Sequence, residues 1–101
     1  MKNILDVLKS AANAYKLVLE NDKIRVLEVT LKPGEKAAMH NHPNAYFIYM
    51  MNDAKVKLDF PDGKSGEFDL KTGHTGMRDA GSHEIINIGT TIVRNLIIEL
   101  K

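Results

Sequence analysis

The chain has 101 residues, 14 of them basic and 13 acidic, so a single domain that buries roughly two-thirds of its unfolded surface is expected, with no large field to draw a phosphate backbone. Nucleic acid is therefore excluded as a partner. Cysteine is absent, which removes disulfides, thiolate metal sites and Cys nucleophiles, leaves only nitrogen and oxygen ligands for any metal, and suits a reducing compartment.

In the N-terminal stretch, Ile4, Leu5, Val7, Leu8, Ala11 and Ala12 recur at helical spacing, with Asn3 available as N-cap. A short helix over about 3–13, lying on the outside of the domain, is predicted. Lys2 and the Ala12-Asn13-Ala14 pattern have a faint signal-peptide flavour, but Asp6 and Lys9 interrupt the apolar run. That run is too broken for a secretory segment and too short for a bilayer, so a cytoplasmic protein with no membrane partner is expected.

From Lys16 onward the periodicity becomes two. Arg25, Leu27, Val29 and Leu31 alternate with Val26, Glu28, Thr30 and Lys32, and Val56, Leu58 and Phe60 alternate with Lys55, Lys57 and Asp59. Turn signals separate such runs at Asn21-Asp22, Pro33-Gly34, Asn52-Asp53, Pro61-Asp62-Gly63-Lys64, Lys71-Thr72-Gly73 and Asn87-Ile88-Gly89-Thr90. Strands are predicted at 16–20, 23–32, 36–42, 45–51, 54–60, 66–71, 75–79, 82–88 and 91–100. That spacing indicates an all-β, antiparallel barrel or sandwich over about 16–100, in one unbroken domain, 1–101. The last strand is apolar on much of both faces, so its outer face is expected to meet the N-terminal helix or a second copy in a homodimer.

Chemistry concentrates in Lys32-Pro33-Gly34-Glu35-Lys36-Ala37-Ala38-Met39-His40-Asn41-His42-Pro43. On a strand, residues i and i+2 leave the same face, so His40 and His42 project side by side. Pro43 pushes His42 toward extended backbone. Downstream, His83, Ile85 and Asn87 share a face of another predicted strand.

These residues resemble the cupin superfamily. Its first motif is a glycine, five residues and His-x-His, met by Gly34 and His40-Asn41-His42; its second ends in a histidine, three residues and an asparagine, met by His83 and Asn87. The resemblance spans about residues 24–100 and implies a double-stranded β-helix, or jelly-roll, barrel. Two departures stand out. Tyr46 and Phe47 occupy the positions where the family commonly places a glutamate ligand, and Asp79-Ala80-Gly81-Ser82-His83 lacks the proline of the second motif and is one residue tighter. The finer wording of the chain, with Phe-Pro-Asp-Gly-Lys before a Lys-x-Gly turn, resembles small single-domain bacterial cupins, some of them called β-alanine degradation proteins.

Three neutral imidazoles, His40, His42 and His83, suit one divalent transition metal such as Fe, Zn or Ni and leave positions open for water or substrate. Some cupin dioxygenases resemble this arrangement, which implies an oxygenase or isomerase acting on a small carboxylated molecule. The alternative is a barrel that binds or senses a small molecule without metal or catalysis. Tyr46 is a candidate acid or substrate hydrogen-bond partner, or simply core. Arg78 is a candidate carboxylate anchor, and Met50 and Met77 are candidate pocket walls. His74, in a turn outside both motifs, is expected to be a solvated loop residue.

Overall fold

The computed structural model describes residues 6–101. A one-turn helix, α1 (Val7–Ser10), precedes nine strands: β1 (Tyr15–Glu20), β2 (Ile24–Leu31), β3 (Lys36–His42), β4 (Tyr46–Met50), β5 (Ala54–Asp59), β6 (Ser65–Leu70), β7 (Thr75–Arg78), β8 (Gly81–Asn87) and β9 (Val93–Leu100). Every strand expected from period-two patterning is present, with bounds moved by a residue or two. They form two antiparallel sheets, ordered β1-β2-β9-β4-β7 and β3-β8-β5-β6.

The core lies between the sheets. Leu27, Val29 and Leu31 of β2, Val93 and Ile97 of β9, Tyr46 and Met50 of β4, and Val56 and Leu58 of β5 are all buried. Alternation puts every second residue of these strands inside. Burying one such aliphatic side chain is worth about 1.5–3 kcal/mol, so this common interior is what holds the sheets face to face.

The expected helix is shorter than its apolar spacing suggested. It ends at Ala11, and Asp6 supplies the N-cap, accepting from the Leu8 N–H at 3.2 Å; Asn3 and the rest of residues 1–5 lie outside the described residues. The chain turns over 11–14 because the Ala14 and Tyr15 amides both donate to the Ala11 carbonyl while buried Tyr15 pairs with Val29. Tertiary pairing overrides local helix propensity here. Among the described residues the helix packs chiefly on β3 and β1.

The larger sheet carries an apolar row on its other face. Leu19, Val26, Ile98, Phe47 and Met77 lie in one register across all five strands of the larger sheet, on its outer face. Leu19 and Met77 are exposed and the other three half-buried. Among the described residues no helix is long and apolar enough to cross a membrane.

Two backbone features aim the site. Gly34 sits at φ 82° in the turn that enters β3, closed by the Glu35 N–H donating to the Lys32 carbonyl at 2.9 Å; glycine adopts that left-handed conformation without a Cβ penalty. Within β3, pairing with β8 shifts by one residue between Ala37 and His40. Ala37 faces inward, and without the shift strict alternation would put Met39 and Asn41 inside. The bulge re-phases the strand so that His40 and His42 are the buried residues instead.

Candidate metal centre

β3 and β8 are neighbours, and His40 stands directly opposite His83 in their register. His42 follows two residues on, on the same face. All three are buried, and one ring nitrogen of each lies within 4.8 Å of the others. The rings meet edge to face or tilted, with centroids 5.0 Å apart for His40–His42, 4.7 Å for His40–His83 and 5.1 Å for His42–His83.

The outer nitrogens fix the tautomers. His40 Nδ1 lies 2.7 Å from the Ala38 carbonyl oxygen, within the bulge. A carbonyl only accepts, so Nδ1 carries the proton and Nε2 the lone pair. His42 Nδ1 lies 3.0 Å from Glu99 Oε2, which fixes the same tautomer. The Nε2 atoms of His42 and His83 are buried with no hydrogen-bond partner, and His40 Nε2 accepts only from the Tyr15 hydroxyl at 3.1 Å. Buried nitrogens left unpaired in this way are costly unless something fills the space between them.

Burial keeps the His40 and His83 rings neutral. It pushes the His40 imidazole down to about 4, with the Ala38 carbonyl opposing and His42 reinforcing the shift. His83 is pushed down to about 2, by burial first and then by His40, His42 and Arg78. Neutral imidazoles with free Nε2 lone pairs are the ligand form that divalent transition ions require. The three residues therefore fit a metal. Such an ion would act as a Lewis acid toward a bound oxygen.

Behind His42 runs a chain of buried charge that sequence reasoning missed. Glu99 is 2% exposed; its Oε1 accepts from Arg25 Nε at 2.7 Å, and Arg25 Nη2 donates to Asp6 Oδ1 at 2.9 Å. Burial alone would raise the Glu99 carboxyl, but the hydrogen bonds from His42 and Arg25 outweigh it and hold the group below the usual carboxylate range. A carboxylate behind a ligating histidine orients the ring and raises its basicity. The signal was present in the sequence: Glu99 ends the inward series Val93, Asn95, Ile97, and Arg25 begins the inward series Leu27, Val29, Leu31. Tyr15, at the very start of β1, carried no such signal.

The remaining expected residues surround the histidines unevenly. Tyr46 is buried and stacked on His42, with centroids 4.2 Å apart and planes at 30°. Burial pushes its phenol up to about 12, although the positive charge of Arg78 opposes this; at neutral pH it is a hydrogen-bond donor and not a base. Arg78 pairs with Tyr46 in register, and its guanidinium carbon lies 5.9 Å from the centre of the Phe60 ring. Met50 is buried and lines an interior cavity. Met77 borders that cavity but is 57% exposed and pairs with outward-facing Phe47, so it is a rim residue. His74 is exposed in its turn. Asn87 is not at the site: its side-chain amide donates to the Leu31 and Thr91 carbonyls and accepts from Gly89 N–H, stitching the turn before β9.

No family model matches the sequence, and no curated protein matches it. Solved structures do. A cupin domain from Bordetella pertussis is 27% identical, with a TM-score of 0.80 over 86% of this chain and 91% of that one. An uncharacterised conserved protein with a double-stranded β-helix domain from Klebsiella pneumoniae is 19% identical, with a TM-score of 0.69 over 85% of this chain and 74% of its own. An RmlC-like cupin from Methanocaldococcus jannaschii is 14% identical, with a TM-score of 0.68 over 85% and 77%. The finer likeness to β-alanine degradation proteins stays an expectation. With His40, His42 and His83 converging inside a double-stranded β-helix of this kind, the chain has the cupin fold and resembles the small bacterial cupin domains.

Proposed function

We propose that the protein binds one divalent transition metal, Fe, Zn or Ni, through His40, His42 and His83, and acts on a small carboxylated metabolite as an oxygenase or isomerase. One observation carries this reading: the Nε2 atoms of His42 and His83 are buried without partners beside a third imidazole whose tautomer is fixed the same way. Three protein ligands leave coordination positions open, as catalytic sites require. Tyr46 would donate a hydrogen bond to the ligand and Arg78 would face its carboxylate. The cytoplasmic setting and the 1–101 domain expected from the sequence belong to the same proposal, as does a homodimer that buries the apolar row Leu19, Val26, Phe47, Met77 and Ile98, to be measured by sedimentation equilibrium.

Elemental analysis of untagged protein tests the metal: about one transition ion per chain is expected, and His83→Ala should release most of it. A His83→Ala protein that keeps full stoichiometry contradicts the assignment. A second reading, a ligand-binding barrel without metal, is favoured by Tyr46 in place of a carboxylate ligand and by the Tyr15 hydroxyl already satisfying His40 Nε2. Absence of metal after reconstitution with iron, nickel and zinc would select it.

A further inference from the structure

Two cavities meet at His83. The outer one, about 420 Å³, opens to solvent and is walled by polar groups, among them Arg78, Asp79, Ser82 and His83. The inner one, about 240 Å³, runs between the sheets and is walled by aliphatic side chains such as Leu31, Val56, Ile85 and Ile97. Tyr46, Met77, Arg78 and His83 line both. The inner wall offers few polar atoms: the Tyr15 hydroxyl is held by His40, leaving Asn95 and His74 besides the shared residues.

The two chambers differ in the chemistry they accept. An aliphatic cavity of about 150 Å³ is enough to hold benzene and to stay dry when empty, so the inner chamber takes a hydrocarbon group of at least that size. At the junction, Arg78 is the one arginine of three with no carboxylate in ion-pair distance among the described residues; Arg25 is paired with Asp6 and Glu99, and Arg94 with Glu28. Its planar guanidinium matches a carboxylate bidentately.

We propose that the ligand is an amphiphilic anion, with a carboxylate head held at Arg78, beside His83, and an apolar tail filling the inner chamber. A short hydrophilic acid would leave that chamber empty and gain nothing from its walls. This inference rests on the reading of the barrel mouth as a ligand site, and it narrows the substrate from any small carboxylate to one with a ring or chain of about six carbons or more.

Calorimetric titration of metal-free and zinc-loaded protein with straight-chain carboxylates from acetate to octanoate tests it. Affinity should rise about fourfold for each added methylene until the chamber is full. The matching primary alcohols should bind about tenfold more weakly than the acids, a gap that Arg78→Ala closes. In methyl NMR spectra of the unaltered protein, octanoate should shift the Val56, Ile85 and Ile97 signals, and Val56→Phe should remove the gain from long chains. Affinity that is flat across chain length overturns the inference, as does octanoate binding that leaves those methyl signals in place. Zinc binding with a flat chain-length response overturns the amphiphile alone and leaves the metal reading standing. A chain-length response in a protein that takes up no metal upholds the amphiphile and removes the metal reading.

Discussion

Replacing Glu99 by Gln isolates what the buried carboxylate does, because shape is kept while charge and acceptor count change. Glu99 accepts from Arg25 Nε at 2.7 Å and from His42 Nδ1 at 3.0 Å, at 2% exposure. A glutamine has one acceptor oxygen and one donor amide. Arg25 has only donors, so the oxygen must turn to it and the NH2 must face His42 Nδ1. His42 then has to accept at Nδ1 and carry its proton on Nε2, the atom now unpartnered and turned toward His83 and His40. The ring would keep its place and lose its ligand lone pair. Disruption of such a partner typically costs 10–100-fold in metal affinity, about 1.4–2.8 kcal/mol. Loss of the charge-assisted bond should also lower stability by about 1.5–3 kcal/mol. The assays are zinc titration calorimetry, urea unfolding, and 15N spectra of the His42 ring in metal-free protein, which report the tautomer without reference to any metal. A Glu99→Gln protein that keeps the Nδ1–H tautomer and binds zinc within about twofold of the parent refutes the reasoning.

The metal-free protein should lose stability in acid well above the carboxylate range. His40 and His83 are held at about 4 and about 2 in the fold against about 6.5 unfolded, so their contribution is whole above pH 6.5 and is lost as pH falls toward those values, at about 1.4 kcal/mol per pH unit for each neutral ring. Urea midpoints in EDTA at pH 7.5, 6 and 5 check this, and a flat profile contradicts it. Tyr15→Phe removes the hydroxyl that competes for the His40 Nε2 lone pair at 3.1 Å; zinc affinity should rise about two- to tenfold, the equivalent of one net hydrogen bond, whereas a fall would show that the hydroxyl supports the ion. Tyr46→Phe keeps the stack on His42 and removes a buried hydroxyl beside the Arg78 charge; stability should drop by about 1 kcal/mol with metal stoichiometry unchanged, and loss of the metal would place Tyr46 among the ligands.

The strands were readable because a sheet with one buried face writes its period into the sequence, and Leu27, Val29 and Leu31 or Val56 and Leu58 do so without interruption. The three histidines were readable as well: His40 and His42 by their spacing, His83 by its register with Asn87 in a family pattern. The short helix was over-read, since apolar spacing through Ala12 did not reveal that Tyr15 pairs with Val29 and draws the chain into β1. The bulge in β3 was invisible, because Ala37, Met39 and His40 are all plausible interior residues and only pairing with β8 decides which are inside. Glu99 and Arg25 are separated by 74 residues. Their inward positions were legible one at a time, but their partnership depends on β2 lying beside β9, which no local pattern encodes.

That partnership bears on the missing carboxylate ligand. The family's glutamate position is Tyr46, which at neutral pH brings no charge. Glu99 returns a negative charge to the site at one remove, through His42, but Arg25 and Asp6 share it: Asp6 and Glu99 contribute two negative charges and Arg25 one positive, leaving −1 behind the three imidazoles. A divalent ion there would keep an excess of about one positive charge, where a carboxylate ligand in addition would have cancelled it. Arg78, at the junction of the two cavities and with no carboxylate in ion-pair distance among the described residues, adds a second positive charge there. Asp79 also lines the outer cavity, so the excess positive charge is local to the ion and to the Arg78 side of the junction, where it favours an anion. The substitution of tyrosine for glutamate and Arg78 act in the same direction, and both select the charge of the ligand before any contact with its tail is made.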